Sequence, residues 1–283
     1  MSTPRVLAIH DISGVGRCSL TVALPVLSVA GIECSVLPTA VLSTHTGEFE
    51  GYTFRDLTDD LLPAAQHWKS LDLHFDAIYT GYLGSFQQVE LVKQAIELLA
   101  DDDTLVIVDP VMGDCGELYP GFSHDYPAQM RSLCALADVI VPNVTEASLL
   151  LNRPYLPQPD ADDIKDILTR LCEDLGVCSA VLTGVSLTPG TLGAVSRDTK
   201  MGEMSYSSAP EIDGMYHGSG DLFCSALVAA IMNGYSLQDA SKVAVDYVAE
   251  CVQRTSKAGT PTRFGLLFEA GLVDFGRQFH KIY

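Results

Sequence analysis

The chain has 283 residues, 47% of them hydrophobic, enough to bury a sizeable core in a single domain spanning residues 1–283. A formal net charge of −19 repels phosphate backbones and anionic bilayers, which argues against nucleic-acid or membrane partners; an anionic ligand would need local help from helix N-termini or a cation. The eight cysteines form no CxxC pair, no secretory leader is apparent, and apolar runs such as Leu222 to Met232 are too short to span a bilayer, so the expected compartment is the reducing cytoplasm.

Val6 to His10 reads as a strand, Asp11-Ile12-Ser13-Gly14-Val15-Gly16 as a turn, and Arg17 to Ala30 as a helix. A second strand ends near Leu37. Ala77 to Thr80 runs into Gly81-Tyr82-Leu83-Gly84 before a helix to Ala100, and Leu105 to Val108 runs into Asp109-Pro110. Val139 to Val141 precedes Pro142-Asn143 and a short helix. A longer helix starts near Asp160, and Ala180 to Thr183 ends at Gly184. Leu192 to Ser208 reads as a hairpin turning at Asp198-Thr199-Lys200. Helices follow over Leu222 to Met232, near Leu237 to Arg254, and over Phe264 to His280.

Alternating strands and helices predict a mostly parallel sheet covered on both faces, with a small edge hairpin. Ligands bind such sheets outside the carboxyl ends of the strands, so His10-Asp11, Gly81-Tyr82, Asp109, Asn143 and Thr183-Gly184 are expected to face one crevice. Gly218-Ser219-Gly220-Asp221 puts two glycines before a helix, where free N–H groups and the helix dipole can hold an anion. A carboxylate beside that hole suits a general base acting on an alcohol while the hole stabilises a transferred phosphoryl group. On those four residues alone, a simple helix cap through Ser219 or Asp221 explains the pattern equally well.

The ordered set His45-Thr46-Gly47, Gly81-Tyr82-Leu83-Gly84-Ser85, Asp109-Pro110-Val111-Met112-Gly113-Asp114, Pro142-Asn143-Val144-Thr145-Glu146 and Gly218-Ser219-Gly220-Asp221 resembles the pyridoxal kinase family of the ribokinase superfamily. The resemblance implies a ribokinase-like three-layer αβα sandwich that phosphorylates the 5′-hydroxymethyl group of a vitamin B6 vitamer with ATP. It implies that Asp221 is the base and that Gly218 and Gly220 form the anion hole, with Ser219 where the family usually has threonine. Asn143 and Glu146 are similar to the pair that positions Mg²⁺, Asp109 and Asp114 to the carboxylates near the phosphates and a monovalent cation, usually K⁺, and Thr183, beside Gly184, to the threonine on the terminal phosphate. Thr46 and Tyr82 resemble ring-contacting residues, with His45 adjacent, and residues 113–121 a loop that closes over ATP. A homodimer is implied as well.

The first loop departs from the family pattern. Asp11 stands where many members have a serine against the ring, and Asp11-x-Ser13-Gly14 is similar to the related hydroxymethylpyrimidine kinases. The expectation drawn from Asp11 is a charge-assisted bond to the aminomethyl group of pyridoxamine. Hydroxymethylpyrimidine kinase, and a non-catalytic vitamin-binding protein, are the alternatives. A P-loop ATPase is disfavoured by the absence of a Gly-Lys-Ser/Thr element. A nicotinamide dehydrogenase is disfavoured because Ser19 occupies the third glycine position and no acid follows the second strand.

Overall fold

A computed structural model describes residues 3–279 of the chain. In order, the elements are β1 (Arg5–Ser13), α1 (Leu20–Val29), β2 (Glu33–Leu42), β3 (Phe54–Asp56), α2 (Thr58–Ser70), β4 (Ala77–Thr80), α3 (Phe86–Leu99) and β5 (Leu105–Val108). The short strands β6 (Gly113–Asp114) and β7 (Glu117–Leu118) come next, followed by α4 (Tyr126–Cys134), β8 (Val139–Ile140), α5 (Val144–Leu150), α6 (Ala161–Leu175) and β9 (Ser179–Val185). The chain closes with β10 (Thr191–Asp198), β11 (Glu203–Pro210), α7 (Ser219–Met232), α8 (Leu237–Ala258) and α9 (Leu272–Arg277).

One sheet has the strand order β11-β10-β9-β8-β5-β4-β1-β2-β3. The six strands from β2 to β9 in that order are mutually parallel, while β3 at one edge and β10 and β11 at the other run antiparallel. The expected α/β class, the parallel centre and the edge hairpin are all present.

Alternation along the strands divides the core in two. Leu7, Ile9, Ile78, Val106 and Val108 pack under α2 to α6. Val6, Ala8, Tyr79, Ile107 and Val181 pack under α1, α7, α8 and α9. Helix α7 is buried along almost its whole length because it lies between the sheet and α1 and α8; its run of Ala, Leu and Val at every turn permits that.

Several boundaries differ from the sequence-based expectations. Helix α1 begins at Leu20 because Arg17 and Ser19 hold positive φ angles of 52° and 55°. Strand β2 runs through Pro38 to Leu42, alongside β1, which itself continues to Ser13 past a bulge near Asp11. The single helix expected over Phe264 to His280 is instead two 3₁₀ turns and the short α9, broken at Gly265 with φ of 76°; His280 lies outside the described residues. Strand β3, helices α2 and α4, and the β6–β7 hairpin had not been anticipated.

Candidate active site

The parallel register sets the site. Ile9, Thr80, Val108, Ile140 and Ala180 are direct neighbours across β1, β4, β5, β8 and β9. One to three residues beyond that row stand Asp11, Gly81 and Tyr82, Asp109, Asn143 and Thr183, so the residues singled out in the sequence line one edge of the sheet. By alternation Asp109 shares the face of Ile107 and Thr183 the face of Val181, which is the face covered by α7.

Helix α7 opens at that edge with Gly218 in the left-handed region at φ of 75°. A side chain there would also drive a Cβ into the Arg17 carbonyl, so only glycine is tolerated. Gly220 is different: a Cβ built on it meets nothing. The space beside Gly220 in the first turn at the helix N-terminus is therefore open, as an anion site requires, while the Ser219 N–H donates to the Tyr216 carbonyl at 3.4 Å. Asp221 lies half-buried in that turn. Burial raises its pKa to about 7, and the neighbouring Asp11 charge pushes in the same direction, while the Ser19 backbone N–H favours ionisation. A carboxylate tuned near neutrality is what a general base for an alcohol needs.

Across from Asp221 lie two buried acids. Burial, then the neighbouring Glu146 and Asp221, hold the Asp109 carboxyl well above the ordinary range. Glu146 is raised as well, chiefly by burial, even though Oε1 accepts from the Met112 N–H at 3.1 Å and Oε2 from the Asn143 N–H at 2.8 Å. The Glu146 N–H donates in return to Asn143 Oδ1 at 2.9 Å, a capping box that fixes both residues at the start of α5, and the Asn143 side-chain amide nitrogen donates to the Gly113 carbonyl. Thr183 pairs with Asn143 across the sheet end, and Gly184 follows at φ of 73°.

Among the described residues, no group of three or more His, Cys, Asp or Glu side chains gathers as a metal cage. The crevice offers instead two buried carboxylates, and no donor from the described residues relieves Asp109. That donor set fits a hard divalent cation which takes one or two carboxylates, keeps several waters and is shared with phosphate oxygens. Asp114 is exposed, and its Oδ1 accepts from the Cys115 N–H at 2.8 Å.

Residues 113–121 form the β6–β7 hairpin and a following bend, not an unstructured loop. Cys115 and Gly116 turn it at φ of 51° and 86°, and the Gly116 N–H is tied to the Thr145 hydroxyl at 2.9 Å. Tyr119, missed in the sequence, sits where Glu146, Asp114, Asp109 and Asp221 all act on its phenol. No local pattern marks it, because the hairpin brings it there.

On the other flank Asp11 is 4% exposed. Its oxygens accept from the Ser19 hydroxyl at 2.6 Å and the Ser13 hydroxyl at 2.8 Å. Ser13 thus turns onto Asp11, and the carboxylate expected to reach an aminomethyl group has each oxygen engaged by its own loop. Tyr82 lies close enough that burial and the Asp11 charge raise its phenol to about 12. The His45 ring is fixed as well: Nδ1 accepts from the Gly47 N–H at 3.0 Å, so Nε2 carries the proton and donates to the Arg263 carbonyl at 2.6 Å. Burial lowers its pKa, in keeping with a neutral ring. Thr46 is exposed beside it, at the rim of a separate cleft of about 610 Å³ with Glu48, Phe49, Glu50 and Arg263.

A family profile described as phosphomethylpyrimidine kinase matches residues 24–263. The structure superposes on that of a pyridoxal kinase from Lactobacillus plantarum with a TM-score of 0.89 and 34% identity, covering 98% of each chain. This chain belongs to the phosphomethylpyrimidine kinase and pyridoxal kinase family of the ribokinase superfamily. A Bacteroides thetaiotaomicron protein, provisionally assigned as a phosphomethylpyrimidine kinase and crystallised with pyridoxal, matches with a TM-score of 0.92 and 36% identity over 97% of this chain and 96% of its own. The pyridoxal kinase of Ovis aries is 29% identical over 276 residues, covering 89% of this chain and 86% of its own. The family and fold expected from the ordered motifs are both borne out. No helix among the described residues is long and apolar enough to cross a membrane.

Proposed function

We propose that this chain, acting as one domain over residues 1–283, is an ATP-dependent kinase that phosphorylates the 5′-hydroxymethyl group of a vitamin B6 vitamer. The observation that carries the proposal is Asp221, a carboxylate in the first turn of α7 next to the open space beside Gly220, its pKa raised by burial. The similar pyridoxal kinase, and the relative crystallised with pyridoxal, support the vitamin as the alcohol.

In this reading Asp221 accepts the hydroxymethyl proton as the oxygen attacks the γ-phosphorus, whose bond to the β,γ-bridging oxygen breaks so that ADP leaves. The Gly218-Ser219-Gly220 backbone receives the charge developing on the transferred group, with Thr183 and Gly184 flanking the terminal phosphate and Asn143, Glu146 and Asp114 on the nucleotide side. Asp109 and Glu146 would hold Mg²⁺, which when bound neutralises phosphate charge; a K⁺ near Asp109 and Asp114 would be held by their carboxylate oxygens. Tyr82 and His45 would form the ring side of the pocket near Asp11 and Ser13, with Thr46 reaching it only from the neighbouring cleft that it lines. Closure of the 113–121 hairpin would exclude water and limit hydrolysis of ATP.

Eight unpaired cysteines support a reducing, cytoplasmic setting. A homodimer follows from family resemblance; the exposed edge around Phe54 and Val41 offers apolar surface for one.

The Asp11-x-Ser13-Gly14 loop supports a second alcohol, hydroxymethylpyrimidine, and the matching profile is described as that of a phosphomethylpyrimidine kinase. ADP release measured with Mg²⁺, ATP and each alcohol alone, then with both in competition, separates the two. Turnover of pyridoxal, pyridoxine or pyridoxamine with the higher kcat/KM supports the proposal. Preference for the pyrimidine by an order of magnitude would replace the substrate, and no ADP with either would reject the kinase reading.

A further inference from the structure

The segment that follows the β6–β7 hairpin is shaped to deliver one side chain. Tyr119-Pro120-Gly121-Phe122 carries proline and glycine at the two central positions of a tight turn, and Gly121 holds φ of 99°, where any side chain would be strained. The Phe122 N–H closes the turn on the Tyr119 carbonyl at 3.3 Å, and the Tyr119 N–H is tied to the Met112 carbonyl at 2.9 Å. Met112 in turn donates its N–H to Glu146 Oε1 at 3.1 Å. Phe122 is thus placed by a run of backbone bonds that starts at an acid on the nucleotide side of the crevice.

Its ring meets the other side. It stacks on Tyr126 with centroids 4.0 Å apart and planes 12° from parallel. Tyr126 is a fixed support: it is 1% exposed, its hydroxyl donates to the Leu83 carbonyl at 2.6 Å, and Phe86 packs edge-on against it at 5.7 Å. From that support Phe122 reaches Tyr82, with centroids 5.7 Å apart and planes tilted by 37°. Tyr82 is half-buried, two residues past Thr80, the last residue of β4. The Phe122–Tyr126 stack belongs to the core, whereas the Tyr82 contact lies at the strand ends, where the crevice opens.

We propose, on the reading of Tyr82 as a ring-side residue of a B6 vitamer kinase, that Phe122 is a positioning residue for the alcohol: backed by Tyr126, it fixes the Tyr82 ring against which the pyridine of the vitamer lies. Phe122 acts through Tyr82, so its effect falls on binding of the alcohol and not on the transfer step. The wall of the ring pocket is completed by the same segment that flanks the nucleotide.

The test takes steady-state kinetics with pyridoxal and ATP·Mg²⁺, beside thermal melting, for Phe122→Leu, Phe122→Tyr, Tyr82→Ala, and Phe122→Leu combined with Tyr82→Ala. Phe122→Leu keeps apolar bulk against Tyr126 but loses the ring, and should raise KM for pyridoxal about three- to tenfold, the scale on which one aromatic pair acts. Its kcat and its KM for ATP should stay within about twofold of wild type, as when binding of one substrate alone is weakened. Phe122→Tyr, which keeps the ring, should restore KM. Tyr82→Ala should raise KM for pyridoxal by itself, and adding Phe122→Leu to it should raise KM no further, because nothing is left to position.

An unchanged KM for pyridoxal in Phe122→Leu, with Tyr82→Ala raising it, would overturn the proposal and leave the kinase reading intact. So would a further rise of the same size on the Tyr82→Ala background, or losses in kcat and in both KM values that track a lowered melting temperature, which would make Phe122 merely structural. An unchanged KM in Tyr82→Ala would remove Tyr82 from the ring side, and no ADP release by the wild type with either alcohol would reject the kinase reading; in both cases the role of Phe122 falls with them.

Discussion

Asp221 carries two consequences at the scale of one side chain. A base must be ionised to act, so kcat/KM should fall on the acid side of a limb near pH 7, where burial places this carboxyl in the free enzyme. A profile flat to about pH 5 would show that the titrating base is another group. Stability carries the opposite sign. The folded pKa lies above the ordinary aspartate value of 3.8, so the folding advantage of the protonated acid is complete below that value and lost as pH rises through about 7. At pH 8 the ionised, half-buried carboxylate is therefore a liability. Discounted for its partial exposure to about 1 kcal/mol, its removal in Asp221→Asn should raise Tm at pH 8 by about 2–4 °C, and little at pH 4. A lowered Tm at both pH values would mean that the side chain holds the fold together. Asp221 was legible in the sequence because two glycines and an acid before an apolar helix are a local pattern. The Asp11–Ser19 link was not, since it joins residues eight apart through a strained turn that no propensity describes.

The first turn of α7 makes a sharper prediction at the scale of an element, because its two glycines have different surroundings. Gly218→Ala puts a Cβ at positive φ against the Arg17 carbonyl and should destabilise the chain by about 1–3 kcal/mol, with loss of turnover. Gly220→Ala meets only open space and replaces glycine in a helix, so thermal stability should stay level or rise by about 0.5–1 kcal/mol. Its methyl group would nonetheless stand in the anion hole, and KM for ATP should rise several-fold. Thermal melting and ATP saturation curves on the pair check this, and equal stability losses in both would contradict the assignment of Gly220 to a ligand. Strands β1, β4, β5, β8 and β9 were readable as elements because each is an apolar run that gives way to a polar residue, proline or glycine, whereas the exposed β3 carries no such run. The 113–118 hairpin was not, as its pairing depends on Gly113 admitting the Glu117 carbonyl and on Thr145 from α5. Nor was the break after Phe264, where packing of Gly265 against Gly16 and Arg17 overrides a helical pattern.

Charge dominates at the scale of the whole molecule. A chain of net charge −19 that brings Asp109, Glu146 and Asp221 together repels a nucleotide unless a cation intervenes. Chelation of divalent ions should therefore abolish both turnover and detectable ATP binding by calorimetry, with recovery on adding Mg²⁺; full ATP affinity in chelator would contradict the metal reading of Asp109 and Glu146. The class of fold was evident from alternating strands and helices, and the crevice from the polar strand ends. The substrate was not, because Tyr82, His45 and Asp11 meet only through the folded sheet edge.

The most direct measurement is ADP release by Asp221→Asn with pyridoxal and ATP·Mg²⁺ at saturation. The proposed chemistry predicts kcat lower by about two to four orders of magnitude with KM for ATP little changed, the usual loss on removing a general base. A kcat within a few-fold of wild type would contradict it.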